Sequence, residues 1–195
     1  MKSIITKKEQ EKKTQRNQIM IGIILIGLML LSTAGYALSG GGDGSGGTST
    51  TQKIDYNGIS FVKNSEIWQF EKNGNVFTTR FNPQETQEIK VLSYLKLEDY
   101  NSKPLYFVGS NDEAIYELNR GLNDKVLRVQ KACLSEKDCK DNFPVKDCNE
   151  NIIIIQEPQN ESENIYRTNN CVFIVANSTE QVKYSDALLF KILGI

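Results

Sequence analysis

The 195-residue chain contains no histidine, which removes the side chain that most often acts as a general base near neutral pH. Serine or cysteine nucleophiles activated by histidine are thereby excluded, and zinc loses its commonest nitrogen ligand. We find no internal repeat and no cofactor motif in a suitable structural context. We therefore expect no catalytic residue, no bound cofactor and no metal ion, and a single domain with accessory segments.

Charge is absent from residues 19–38, which contain no Asp, Glu, Lys or Arg. At about 1.5 Å of rise per residue, a helix of this run would span about 30 Å, the thickness of a bilayer's hydrocarbon core. Residues 1–18 carry six Lys and Arg against two Glu, and basic flanks stay in the cytoplasm. We predict a retained single transmembrane helix over 19–38, a cytoplasmic basic segment over 1–18, and an extracytoplasmic location for the rest of the chain.

Two alternatives to a retained anchor remain open. Small residues at Gly35 and Ala37 resemble a signal-peptidase site, which would make the run a cleaved secretory signal. Its length exceeds the usual ~7 to 15 residues of a signal core and favours retention. A buried core helix is the other alternative, but a long apolar run behind a basic head disfavours it.

Residues 39–52 are rich in Gly, Ser and Thr and include a G-x-G-x-x-G pattern at Gly42, Gly44 and Gly47. In a dinucleotide site such glycines follow a strand and open a helix. Here they follow the apolar run and precede a Ser/Thr tract, so the pattern does not indicate nucleotide binding. We predict a flexible linker over 39–52 with an r.m.s. span of roughly 20 Å.

Residues 53–195 are predicted to form one α+β (or α/β) domain with a mixed sheet and two or three short helices. Aromatic and β-branched stretches predict a three-stranded meander over 58–81, with a type I′ turn at Asn73–Gly74. Residues 90–102 are ambiguous between helix and strand. The remaining predicted strands are 105–108, 126–133, 151–158, 164–168 and 171–177, with a hairpin turn at Asn169–Asn170 and a further paired segment at 180–184.

Capping residues predict three helices. The first has Asn82 as its N-cap, with Pro83 and Glu85 at the first and third helical positions. The second helix follows Ser110, which stands in capping-box spacing with Glu113, and is closed by Gly121. The third has Ser185 as its N-cap and runs to Gly194.

Four cysteines follow the apolar run: Cys133, Cys139, Cys148 and Cys171. The 5, 8 and 22 intervening residues differ from the short C-x2–4-C pairs of zinc sites. An even number outside the membrane instead predicts two disulfides. Of three connectivities we favour Cys133 with Cys139 and Cys148 with Cys171, ahead of Cys133 with Cys148 and Cys139 with Cys171.

Two acidic stretches, residues 111–113 and 160–164, resemble calcium ligands or an acid/base pair. Helix capping explains the first and a solvated loop the second. Asn160-Glu161-Ser162 and Asn177-Ser178-Thr179 match the acceptor pattern for N-linked glycosylation, and both fall in predicted loops.

Aromatic residues alternate along the meander, as expected of its core face; the alternative is a platform that binds a sugar or a partner. The residues concerned are Trp68, Phe61, Phe70, Phe77 and Phe81.

The whole arrangement resembles a group of uncharacterised single-span, membrane-anchored archaeal surface proteins. The resemblance covers nearly the full chain: the Lys-rich start and span, the "YNGISF…WQF" meander, "PLYFVG" with its helix, the cysteine cluster, "CVFIVA" and a last helix ending in "GI". It implies a location and a fold, and carries no activity, cofactor or catalytic residue to this chain.

The sequence therefore favours a non-catalytic module of the cell envelope that binds a partner protein, a glycan or a small ligand. A histidine-independent extracytoplasmic enzyme that uses carboxylates or a metal is the alternative, and assembly or scaffold roles remain open. From Ser39 onward, 17 basic residues are scattered among 22 acidic ones, which disfavours nucleic-acid binding.

Overall fold

A computed structural model of the protein describes residues 20–21, 23–26, 51–137, 139, 142–160 and 162–195. The chain divides into two units, residues 1–48 and 49–195. In the first, the described residues are helical and exposed, and no helix within the described ranges is both long and apolar enough to cross a bilayer. The predicted basic segment, most of the predicted span and nearly all of the predicted linker lie outside the described residues.

The second unit is an α+β domain, as predicted, and its described residues form two sheets and three helices. Sheet 1 is an antiparallel meander of four strands in chain order, β1 (Gln52–Tyr56), β2 (Ile59–Asn64), β3 (Ile67–Lys72) and β4 (Asn75–Thr79). Sheet 2 has the order β6-β5-β7-β9-β8, with β5 (Pro104–Val108), β6 (Arg128–Lys131), β7 (Ile152–Gln156), β8 (Asn164–Thr168) and β9 (Cys171–Val175). Its strands are parallel except for β8, which forms an antiparallel hairpin with β9.

Two Asn-Gly pairs shape the meander. Asn73 and Gly74 have φ values of 53° and 74°, the left-handed pair that a type I′ turn requires and that the sequence predicted. Asn57 and Gly58 repeat this geometry, with φ values of 49° and 77°. This second turn adds β1, so the predicted three-stranded meander has four strands and its first residue, Gln52, belongs to the sheet and not to the linker.

The first helix, α1 (Pro83–Thr86), begins as predicted. The Asn82 side chain accepts hydrogen bonds from the amides of Gln84 and Glu85, and the Glu85 carboxylate accepts one from the Asn82 amide. This reciprocal capping box stabilises a helix that is only one turn long.

Helix α2 (Asp112–Leu122) differs from its predicted boundaries at both ends. Its N-cap is Asn111, whose Oδ1 accepts from the Ala114 amide at 3.2 Å, so Ser110 stays in the preceding loop. Gly121 does not end the helix. A Cβ atom there would lie 2.5 Å from Leu189 Cδ2, so this glycine permits close helix packing.

Helix α3 (Gln181–Leu193) has Glu180 as its N-cap and begins five residues earlier than predicted. Residues 180–184, predicted as a paired segment, form its N-cap and first turn, and Ser185 is buried within the helix and not at its start. Burial of the apolar side chains in this turn overrides their strand propensity. The predicted end is correct, because Gly194 caps the helix with φ 68°.

One continuous core joins both sheets and the two long helices, α2 and α3. Phe190 of α3 reaches sheet 1, with ring centroids 6.0 Å from Phe61 and 5.8 Å from Phe70. A smaller cluster lies on the opposite face of sheet 2, around Tyr106 and Ile154. The ambiguous segment 90–102 contributes a β-bridge to β8 and a 3-10 turn at Leu97–Asp99.

Candidate functional site

The best candidate site is a crevice at the carboxyl ends of β5, β6 and β7, which we call the strand-end crevice. The chain leaves β5 through α2 and returns as β6 on one side, whereas the chain leaving β7 continues to β8 and β9 on the other side. Such a divergence of connections opens a gap at the strand ends, where open α/β sheets bind their ligands. The crevice has a volume of about 530 Å³, which is in the usual range for ligand sites.

Gly109 shapes the crevice floor, immediately after β5. Its φ is 148°, a backbone conformation that favours glycine, and a Cβ atom there would lie 2.7 Å from the Ile155 carbonyl oxygen of β7. The missing side chain therefore lets the exit of β5 approach β7 closely.

Four polar side chains line the crevice, and the two that carry a charge are paired. Lys131, at the end of β6, forms an ion pair with Asp112 in the first turn of α2. The Asp112 carboxylate also lies near the helix N-terminus, where a negative charge is stabilised. Ser110 and Gln156 complete the polar lining.

The disulfide between Cys133 and Cys139 holds the apolar wall of the crevice. Cys133 forms a parallel bridge with Val145, its amide donating to the Pro144 carbonyl at 3.1 Å. Leu134 and Phe143, which line the crevice on this side, are 43% and 36% exposed. The chain held by this disulfide therefore presents two partly exposed apolar side chains at the opening of the crevice.

The second disulfide joins Cys148, in the loop before β7, to Cys171, the buried first residue of β9, with 4.9 Å between Cα atoms. Both pairs are those that the spacing favoured. Two disulfides are consistent with an oxidising, extracytoplasmic environment.

Two buried carboxylates form a separate cluster between β4, α2 and α3. Asp186 Oδ2 accepts hydrogen bonds from the backbone amides of Arg80 and Phe81 at 3.0 and 2.9 Å. Burial raises the pKa of Asp186 to about 7, with the neighbouring Glu117 charge adding to the effect and these amides opposing it. Burial likewise raises the pKa of Glu117, against the lowering effect of Arg120 and Arg80.

The Glu117 carboxylate is held by ion pairs to both arginines. Glu117 Oε1 lies 3.3 Å from Arg80 Nε, and its other oxygen contacts Arg120. Arg120 also donates to the Thr78 carbonyl of β4 at 3.1 Å. Neither buried carboxylate lines the strand-end crevice. The cluster thus ties the meander to the two long helices.

The other sequence-predicted candidates occupy separate places. Trp68 is 3% exposed and belongs to the core, which rules it out as a binding platform. Phe61, Phe70 and Phe77 are buried beside it, and Phe81 is partly buried. In the 111–113 stretch, Asn111 caps α2, Asp112 pairs with Lys131 and Glu113 lies 3.1 Å from Arg80.

The two glycosylation sequons lie in exposed loops. Asn160 is exposed in the turn before β8. Asn177 is also exposed, but its side-chain amide and its backbone amide both donate to the Glu163 carboxylate. Glu163, in the 160–164 stretch, thus serves as an acceptor for the loop that precedes α3.

Sequence reasoning missed the strand-end crevice and the buried carboxylate cluster. The residues of the crevice come from four separate stretches of the chain, and no motif links them. The one available signal was Gly109, which directly follows an apolar strand.

Within the described ranges, no group of three or more acidic or cysteine side chains is arranged as a metal site.

A scan of protein-family models finds no match to this chain, and searches of curated proteins and of solved structures find none either. Its function is therefore inferred from its own residues and geometry.

Proposed function

We propose that this protein is a membrane-anchored, extracytoplasmic module of the cell envelope that binds a partner protein or a glycan through the strand-end crevice. The observation that carries the proposal is the crevice itself, a ligand-sized gap at diverging strand ends with partly exposed apolar side chains on one wall. Its two charged side chains neutralise each other in an ion pair and supply no nucleophile with an adjacent base.

The anchor in this proposal is residues 19–38, with residues 1–18 in the cytoplasm. Support comes from the uncharged run behind a basic flank and from the two disulfides in the second unit. Mass spectrometry of the mature protein tests the anchor. An intact N-terminal region supports retention, whereas a chain that starts near Leu38 would show a cleaved signal.

Photo-cross-linking tests the crevice. A photoreactive phenylalanine analogue replaces Phe143 at the opening, and a matched control replaces Tyr116, an exposed aromatic residue of α2 that is 56% exposed. In native membranes we expect a discrete adduct from position 143 only, analysed for both peptide and glycan mass. Equal adducts from both positions, or none from position 143, would contradict the proposal.

A blocking variant strengthens this test. Ser110 is exposed and lines the crevice, so Ser110→Trp should fill the gap without disturbing the core. We expect the adduct from position 143 to disappear in this background while the melting temperature stays unchanged. An undiminished adduct would place the partner elsewhere.

A histidine-independent enzyme is the second candidate, and the pKa of Asp186 favours it because a value of about 7 suits a general base. Against it, the Asp186 side chain is fully buried and lines neither the strand-end crevice nor any of four further surface cavities of the described residues. A hydrolytic activity of the purified chain that Asp186→Asn abolishes would favour the enzyme.

A further inference from the structure

A second cavity, which we call the lysine cleft, lies between the β3–β4 hairpin and the end of α3. Its volume is about 520 Å³, and four lysines line it with a single acidic residue, Glu98. The lysines are Lys72, Lys96, Lys125 and Lys191. Because acidic residues outnumber basic ones from Ser39 onward by 22 to 17, this concentration of positive charge runs against the composition of the domain.

Two of the lysines are fixed by hydrogen bonds. Lys72 Nζ donates to the Gly194 carbonyl at 2.8 Å, and Lys125 Nζ donates to Asn75 Oδ1 at 2.6 Å. Lys72 and Asn75 are partners across the β3–β4 hairpin, so the same turn positions both ammonium groups. An ammonium group has three N–H donors, and each of these contacts uses one.

The other two lysines are exposed at the edge of the cleft. Lys96 Nζ lies 5.5 Å from the ring centroid of Tyr94, which is 77% exposed, and Lys191 lies in the last turn of α3. Among the described residues, none of the four lysines forms a salt bridge with a carboxylate. Their charges are therefore available to a ligand.

A purely structural role accounts for only part of this arrangement. The end of a helix carries roughly half a negative charge, which nearby cations stabilise. Lys72 and Lys191 lie at the end of α3 and fit this role. Lys125 follows α2 and Lys96 precedes the 3-10 turn, so neither belongs to α3. Four lysines against the single Glu98 exceed what one helix end requires.

We propose that the lysine cleft binds a phosphate-bearing compound with at least two negative charges. Lysine binds phosphate as a point charge, and several lysines around one cavity suit a multivalent anion better than a single carboxylate. Phe77, Leu95 and Ile192 provide apolar lining for the organic part of such a compound. The site is separate from the strand-end crevice and does not depend on its proposed function.

Calorimetry with sodium pyrophosphate tests the cleft, using the full chain in nanodiscs of neutral lipid at low salt. We expect saturable binding that weakens as salt rises. Lys72→Gln with Lys125→Gln should weaken it at least tenfold, because two fixed ammonium groups are lost. The control pair, Lys53→Gln with Lys90→Gln, removes two exposed lysines outside the cleft and should change the affinity less than twofold.

A second pair keeps the test valid if the first pair disturbs the fold. Lys96→Gln with Lys191→Gln changes only the exposed lysines and should also weaken pyrophosphate binding about tenfold at an unchanged melting temperature. Absence of pyrophosphate binding to the unmodified chain, or equal weakening by the control pair, would overturn the proposal.

The phosphate has two potential sources, a lipid headgroup and a free phosphorylated compound. Nanodiscs that contain a photoactivatable cardiolipin, whose headgroup carries two phosphates and two negative charges, separate them. Headgroup adducts on residues 94–98 that are lost in Lys72→Gln with Lys125→Gln would identify the lipid, whereas pyrophosphate binding without adducts would identify a free compound. Pyrophosphate binding is expected with either source, so its absence overturns the proposal whether or not adducts form.

Discussion

The Asp186 carboxylate lies 2.9 Å from the backbone amide of Phe81, measured from Oδ2 to N. The same oxygen accepts the Arg80 amide, so one side chain of α3 satisfies two donors at the end of β4. Its other oxygen, Oδ1, is buried without a hydrogen-bond partner. These hydrogen bonds hold the meander against α3. Burying the ionised Asp186 carboxylate costs desolvation free energy, and this cost depends on pH because the neutral form is less strongly solvated.

Stability should therefore fall as pH rises through neutrality. Burial raises the pKa of Asp186 to about 7 from an ordinary value near 4, so the folded state holds a proton that the unfolded state releases between these values. The resulting stabilisation is complete below pH ~4 and is lost as pH rises through about 7. We expect Asp186→Asn to flatten this dependence, measured by urea unfolding between pH 5 and 8.

The exposed Asp124 supplies the matched control, and Asp124→Asn should leave the profile unchanged. Asp186→Ala removes the acceptor for both backbone amides and should destabilise the fold by about 2 to 4 kcal/mol at pH 6. A wild-type profile as steep as that of Asp186→Asn would show that the titration lies elsewhere.

The two disulfides should contribute unequally to stability. Cys148 and Cys171 are 23 residues apart, and Cys133 and Cys139 are 6 apart. On the chain-entropy relation, these loops correspond to about 3 and about 2 kcal/mol. We expect paired alanine substitutions to lower the free energy of unfolding in that order, with denaturant titrations as the measurement.

Thiol labelling of the unfolded, unreduced protein complements this comparison. We expect no free thiol, because both pairs are bonded. Four free thiols in protein isolated from native membranes would contradict both the disulfides and the extracytoplasmic location.

Gly121 should tolerate a methyl group only if Leu189 is shortened. A Cβ atom on Gly121 would lie 2.5 and 2.7 Å from the two methyl carbons of Leu189, which is fully buried. We expect Gly121→Ala to destabilise the domain by about 1 to 3 kcal/mol, despite the higher helix propensity of alanine. In a Leu189→Ala background the same change should be neutral or stabilising. A double-mutant cycle by thermal unfolding measures this coupling, and additive effects would refute it.

Residues 51–195 should fold without the preceding segment. Both hydrophobic clusters of the described residues lie in this part of the chain, and the boundary between the two units falls between Thr48 and Ser49. Expression in an oxidising compartment should give one cooperative melt with the midpoint of the full chain. A molten or aggregated product would mean that the domain needs its N-terminal segment.

Local signals predicted those parts of the fold that local chemistry determines. Asn73–Gly74 predicted a hairpin because few other residue pairs adopt two left-handed conformations, and Asn82 with Glu85 predicted α1 because the capping box is specific. The stretch at residues 152–155 predicted a buried strand because it is apolar without interruption. In each case the deciding atoms lie within a few residues of one another.

Long-range packing decided the parts that the sequence did not reveal. Glycine often follows the last turn of a helix, so Gly121 was predicted to end α2. Only its contact with Leu189, 68 residues away, shows why the helix continues past it. Ser185 resembles an N-cap, but the preceding turn is buried against the core and extends α3. The strand-end crevice likewise depends on sheet order, which no local pattern encodes.

The Cys148–Cys171 bond also determines what a protease can do to this domain. The segment between these cysteines contains the exposed turn at residues 159–160 between β7 and β8, a natural point for cleavage. A nick there would leave β9 and α3 covalently attached through the disulfide, so the product would be a two-chain molecule with its core intact. This bond therefore lets the domain survive a cut peptide bond as a folded unit.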